Sequence, residues 1–336
     1  MTAHALPIPR DPRPVGLFLC TAVLLACVVA SLAIGSRTTP LGEVVQAFSA
    51  YDGSDAHAIV RELRVPRTEL GLLVGAALGA AGALMQGVTR NPLAEPGILG
   101  INAGAAFAVV LAISALGLSS VTAYAVVALA GAGLTAVLVF ALGGRGAAPI
   151  RLALAGAVLA TLLISLTSAI LVFDARTLDE FRFWIVGSIA GRDAGVVLAV
   201  LPFIAAGLVI ALGAGRWLNA LALGDDVARG LGQHVGRTRA IASAGFVLLA
   251  GGAVAAAGPV AFVGLAVPHI ARSIVGPDYR WIVPYSIVLG ASLLLAGDVV
   301  GRVVTQPAEL EVGIVTALLG APFFIWLVRR RRMVAL

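Results

Sequence analysis

From Gly97 to Gly144 the chain runs 48 residues without one charged side chain. At 1.5 Å per residue a single helix of that length would be about 72 Å long, more than twice the roughly 30 Å of a bilayer's hydrocarbon core. The run must therefore turn back on itself, and Gly117-Leu118-Ser119-Ser120 supplies the turn residues. A soluble domain carries roughly 25% charged residues, whereas here 12% of 336 residues are charged and 60% are hydrophobic. The fold class that follows is an all-α integral membrane protein, because helices satisfy their own peptide groups where water is absent.

Apolar runs bounded by charge, Pro or Gly clusters fall at 15–35, 68–88, 97–117, 121–143, 151–173, 194–214, 240–258, 260–275, 281–300 and 310–328. Ten spans put both termini on one side. Loops on that side hold 15 of the 23 arginines and loops on the other hold eight, so the positive-inside rule places both termini in the cytoplasm. The shortest run, 260–275, is interrupted by Pro268; if it fails to span, everything after it inverts. The first run is about 21 residues, longer than the roughly 7–15 of a signal-peptide core, so it reads as a retained helix despite the lipoprotein-like Leu-Leu-Ala-Cys27. The expected organisation is a cytoplasmic tail over 1–14, then one ten-helix domain over 15–336 with a cytoplasmic segment near 216–239.

All 23 basic residues are arginine. Without lysine there is no phosphate-binding GxxxxGK[ST] loop and no Schiff-base chemistry, so any ATP and its Mg are expected in another chain, with no cofactor bound here. Cys20 and Cys27 lie inside the first run and the four histidines are scattered, which leaves no disulfide framework and no metal cluster. Gly71, Gly75 and Gly79 recur every four residues, the pattern that lets two membrane helices approach closely. Thr161, Ser165 and Ser168 form a hydroxyl stripe at i, i+4 and i+7; it bonds backbone or a neighbouring helix, or lines a wet path. No acidic residue lies near the middle of a proposed span, so the mid-membrane reads as uncharged.

Five motifs carry a resemblance: Arg64-Val-Pro-Arg67; Gln86 with Arg90-Asn91-Pro92-Leu93-Ala94-Glu95-Pro96-Gly97-Ile98-Leu99-Gly100; Gly258-Pro259 through Pro268-His269-Ile270-Ala271-Arg272; Gly297-Asp298-Val299-Val300-Gly301-Arg302; and Gly313 through Phe324. In this order, over about 64–329, the chain resembles the FecCD/BtuC-type permease family of bacterial ATP-binding-cassette importers for iron–siderophores, haem and cobalamin. The resemblance implies a ten-helix subunit, a second permease subunit that is a copy or a paralogue, two cytoplasmic ATPases and an extracytoplasmic substrate-binding protein, with no role for nucleic acid. It implies a multi-pass protein of the cytoplasmic membrane whose commonest cargo is a ferric siderophore.

The resemblance also assigns roles. Arg64, Arg67 and Arg302 match arginines that dock the binding protein through its glutamates, a task suited to the bidentate guanidinium. The segment 216–239 resembles the ATPase-coupling helices: two short helices broken at Gly224, the second capped by Asp225 and ended by Gly232. Leu218, Leu221, Gly224, Asp225, Asp226, Val227, Ala228, Leu231 and Gly232 would couple to the ATPase, with Leu221, Val227 and Leu231 as apolar anchors. Asn91 and Leu93 would help form the cytoplasmic gate, and Thr161, Ser165 and Ser168 are candidate pore-lining residues. His269 is expected to be hydrogen-bonded in place. The 329–332 arginine run reads as an anchor to anionic headgroups. A proton-coupled secondary transporter is the rival, opposed by the uncharged mid-membrane; an intramembrane protease is weaker, since no HExxH motif occurs.

Overall fold

The computed structural model describes residues 11–35, 38–144, 149–306 and 308–329. The expected tail over 1–14 lies mostly outside them, as do Arg37, Arg145 and the arginines at 330–332. Ten apolar helices occupy the ten expected stretches: α1 (Arg13–Ala33), α4 (Val65–Thr89), α5 (Ile101–Leu116), α6 (Val121–Gly143), α7 (Pro149–Phe173), α9 (Ala194–Ala222), α11 (Val235–Ala257), α12 (Val263–Val275), α13 (Tyr279–Val304) and α14 (Val312–Arg329). Seven are long and apolar enough to cross a membrane by themselves; α5, α12 and the described apolar part of α14 are shorter. Four helices lie outside the apolar runs: α2 (Leu41–Ser49), α3 (Asp55–Ala58), α8 (Ala175–Ile185) and α10 (Asp225–Gly230), with a π-helical turn over Ile59–Arg64 leading into α4.

The central element is α4, buried over most of its length, whereas few residues of α1 and α7 are buried. Composition explains the difference. Along α4 small residues replace bulky ones, so its axis can lie against neighbouring backbones: a Cβ on Gly75 would fall 2.5 Å from the Gly290 carbonyl oxygen and 2.6 Å from the Ala291 Cα of α13. Gly79 meets the Ser286 carbonyl, Gly82 that of Gly264 in α12, and Gly71 a Leu295 methyl. The glycine ladder is a packing face, as the spacing predicts.

Neither α5 nor α12 crosses the full bundle as helix. At 1.5 Å per residue, α12 covers only about 20 Å, and the rest of its path is the non-helical stretch 258–262. Opposite it, the chain leaving α4 re-enters the bundle, forms a 3-10 turn over Pro96–Leu99 and only then starts α5. Non-helical backbone at membrane depth survives where protein supplies its hydrogen bonds. Here Ser188 N donates to Ala257 O (2.7 Å) and Gly313 N to Gly187 O (2.9 Å).

A Gly75→Leu substitution is expected to destabilise the chain by about 1–3 kcal/mol through overpacking. Gly133→Ala is a neutral control, since a Cβ there meets nothing within 4 Å. Thermal unfolding of the two variants in detergent checks the contrast.

Candidate functional sites at the two ends of the bundle

Arg64, Arg67 and Arg302 converge at the end where α1 finishes and α4 begins. A C-terminal helix turn leaves carbonyls without intrahelical donors, and two of these arginines supply them. Arg64 donates to Leu32 O (2.7 Å) and Ala33 O (2.9 Å). Arg302 donates to Ser31 O (2.8 Å) and Ile34 O (2.9 Å), and to the Ser31 hydroxyl (3.0 Å). Positive charge also suits the negative end of the helix dipole. Asp298 binds the cluster together: Arg302 reaches it one turn away, with Nε 2.9 Å from Oδ2, and Arg67 grips it at 2.7 and 3.1 Å while holding Glu309 at 2.6 Å.

Arg302, expected to dock the binding protein, is engaged within the subunit in this structure. Its side chain is 2% exposed and Asp298 1% exposed, so its guanidinium is spent on α1 and Asp298 rather than offered outward. Arg64 is also mostly buried, while Arg67 keeps 13% of its side chain exposed. Arg64, Arg67 and Arg302 all line a cavity of about 490 Å³ together with Glu309 and Arg192. Arg192 also lines a second cavity, of about 480 Å³, beside Tyr124, Trp184 and Glu311. Its Nε donates weakly to Ser188 O at 3.4 Å, and no carboxylate among the described residues forms an ion pair with it. Burial pulls the Arg192 pKa below the usual arginine value, a shift that Glu311 opposes.

Beside these cavities α8 starts at Asp174, whose carboxylate accepts from Thr177 N (3.1 Å) and the Thr177 hydroxyl (2.5 Å). Those two bonds hold the Asp174 carboxyl below its ordinary pKa. The Tyr124 hydroxyl lies 2.7 Å from Glu180 and 3.0 Å from Leu118 O, fastening α8 to α6.

At the opposite end the coupling segment departs from its expected form. The first of the two short helices is the tail of α9, which continues to Ala222. Leu218 and Leu221 are therefore core residues, 0% and 1% exposed, and cannot anchor an outside partner. The exposed apolar set is Leu223, Val227 and Leu231, with Asp226 fully outward; Ala228 is buried. Gly224 (φ +107°) breaks the chain between α9 and α10, and Gly232 (φ +81°) follows α10. Asp225 does not cap α10 with its side chain. Its carboxylate instead gathers Arg90 (2.6 Å), Arg239 (2.9 Å) and Arg229 (3.9 Å).

Arg90 opens the turn expected to gate the pore. The Asn91 side-chain carbonyl accepts from Leu93 N (3.0 Å) and the Asn91 main-chain carbonyl from Ala94 N (3.1 Å). The turn thus holds itself and is tied through Arg90 to α10. Next along the chain, Glu95 enters a small cavity shared with Leu78, midway along α4, and with Gly264 of α12. An ionisable carboxyl group therefore lies level with the middle of α4. The sequence conceals this because Glu95 lies outside every apolar run and reaches that depth only through the re-entrant turn. Arg272 is also buried, within 3.4 Å of the Gln86 amide oxygen and 3.2 Å of the Tyr279 hydroxyl. His269 is not simply bonded in place: its Nδ1 has no partner among the described residues.

Thr161, Ser165 and Ser168 are exposed on α7. Thr161 donates to Ala157 O and Ser165 to Thr161 O, both at 2.9 Å. The stripe faces out of the chain, so another subunit must complete any path it lines.

Residues 23–330 match the model of the FecCD transport family. The chain belongs to that family. It is 44% identical over 311 residues to the Bacillus subtilis protein YfiZ, named as a siderophore transport system permease, covering 92% of this chain and 93% of that one. It is 45% identical over 313 residues to the ferric enterobactin transport system permease protein FepD of Escherichia coli, again covering 92% and 93%. A solved structure described as an inward-facing metal-chelate type ABC transporter superposes with a TM-score of 0.84 at 30% identity, covering 94% of this chain and 99% of that one. The chain is thus a multi-pass permease subunit of an ATP-binding-cassette importer, working with partner ATPase and permease subunits, and the secondary-transporter and protease readings fall away.

Arg302→Ala is expected to cost about 3–5 kcal/mol, because it strands Asp298 as a buried charge and uncaps α1. Arg192→Ala is expected to leave stability unchanged. Thermal unfolding in detergent separates the two, and a stable Arg302→Ala chain would return that arginine to a docking role.

Proposed function

We propose that this permease carries a ferric siderophore inward across the cytoplasmic membrane, driven by ATP hydrolysed on cytoplasmic partners. The observation that carries the cargo is the 44–45% identity, over more than nine-tenths of the chain, to proteins named for siderophore and ferric enterobactin transport. Both termini lie in the cytoplasm, so the α10 end faces the ATPases and the Asp298 cluster faces the binding protein.

Chemistry at each end supports this orientation. A segment presenting Val227 on α10 and Leu223 and Leu231 flanking it, beside the charged Asp226 and Arg229, suits a protein cleft better than open water. At the other end a binding protein meets the rim formed by Arg64, Arg67 and Arg192, while Arg302 holds that rim in place. No carboxylate among the described residues forms an ion pair with Arg192, so it can receive an acidic side chain without breaking one. The exposed faces of α7 and α14 meet a second permease subunit, and the hydroxyls of Thr161, Ser165 and Ser168 then wet the path between the subunits. Asn91 and Leu93 close its cytoplasmic mouth.

Proteoliposomes holding this permease, its ATPase and its binding protein should accumulate labelled ferric siderophore with ATP and not without it. Accumulation of haem or cobalamin instead would reassign the cargo. The double variant Val227→Arg, Leu231→Arg should abolish co-purification of the ATPase and all ATP-dependent uptake. Retained ATPase binding would remove α10 from the coupling role.

A further inference from the structure

Two non-glycine residues among those described have positive φ: Arg90 (51°) and Phe262 (67°). A side chain in this region is strained by roughly 1–3 kcal/mol and persists only where its surroundings enforce it. Both residues are held by the same short segment. At one end Arg90 is fixed to Asp225, the first residue of α10. At the other, Glu95 Oε1 accepts the Phe262 amide N–H at 3.1 Å, just where α12 begins. Between them the Asn91 turn and Pro92 remove most of the slack.

The far end of this connection is tightly packed. Phe262 lies directly against Gly320 in α14, leaving no room for a side chain at that position. Its neighbour Gly264 lies against Pro96 and Leu78. A displacement of Phe262 therefore moves both the start of α12 and the middle of α14. The α14 helix is exposed at Leu318, Leu319 and Ile325, so it presents a broad surface to whatever adjoins it.

We propose that residues 90–95 are a transmission strap, with Arg90 and Glu95 as its positioning residues: the strap carries displacement of α10 to Phe262 at mid-membrane, and so to α12 and α14. The proposal rests on the reading of α10 as the ATPase-facing helix and adds the route by which its motion reaches the bundle interior. Two polar contacts in series, Asp225 with Arg90 and Glu95 with the Phe262 amide, define that route.

The test uses the full permease with its ATPase and binding protein in liposomes, reading cargo moved per ATP hydrolysed. Arg90→Gln and Glu95→Ala should each keep the ATPase subunits bound and hydrolysing, while cargo per ATP drops about five-fold or more. Glu95→Gln should keep most of the coupling, because a carboxamide oxygen accepts the same N–H. Contacts in series lose their effect together, so Arg90→Gln with Glu95→Ala should be no worse than the poorer single variant, whereas independent contacts would add. Arg90 is partly exposed, so Arg90→Gln tests the strap even where Glu95→Ala fails to fold. Wild-type coupling in Arg90→Gln, or additive losses in the double variant, would overturn the strap. An ATPase that stays bound and coupled to Val227→Arg, Leu231→Arg would instead overturn the α10 reading.

Discussion

Every peptide group that leaves a helix inside this bundle must find a partner in protein, because hydrocarbon offers none and an orphan costs several kcal/mol. Much of the buried polar chemistry answers that demand. Arg64 and Arg302 take the last carbonyls of α1, Glu95 takes the amide before α12, and Ser188 N and Gly313 N close the interior loops. Buried charge then needs its own neutralisation, which is why Asp298 stands between Arg67 and Arg302. The concentration of ionic groups at one end thus accompanies the burial of α1's last carbonyls within protein.

The same demand separates stiff parts from movable ones. Around α4, glycine brings backbone onto backbone, and such contacts have no room to give. The coupling end is held instead by ion pairs of partly exposed side chains, Asp225 with Arg90, Arg229 and Arg239. Partly exposed pairs contribute little to stability, so losing one leaves the fold intact. A rigid α4, α11 and α13 core, with α10 joined to it by a few directional ion pairs, suits a machine driven from outside its own chain.

Much of this was legible in the sequence. The ten apolar stretches, the turn at Gly117 and the glycine face on α4 follow from charge spacing and from the size of a missing side chain, which are local properties. What escaped was register and pairing. Leu218 and Leu221 read as part of a separate coupling helix beyond a span ending near 214, with Leu221 as an anchor; α9 instead continues to Ala222, and three-residue spacing puts both on its buried face. Arg302 reads as an outward charge near a span end until α1 is known to finish beside it. Glu95 is invisible to hydropathy, since only the re-entrant turn carries it inward. Helices as short as α2 and α3 leave no apolar run to detect.

The capping of α1 by Arg302 joins residues 271 positions apart. A ribosome adding roughly 5–20 residues each second needs on the order of 15–50 s to cover that distance. For that interval α1 waits with its final carbonyls unclaimed by Arg302, and Asp298, once made, arrives almost together with the arginine that neutralises it. The clasp between α1 and α13 therefore closes late in biogenesis. A chain truncated before α13 would expose an open helix end and an unbalanced Arg67, both recognisable marks of an unfinished membrane protein.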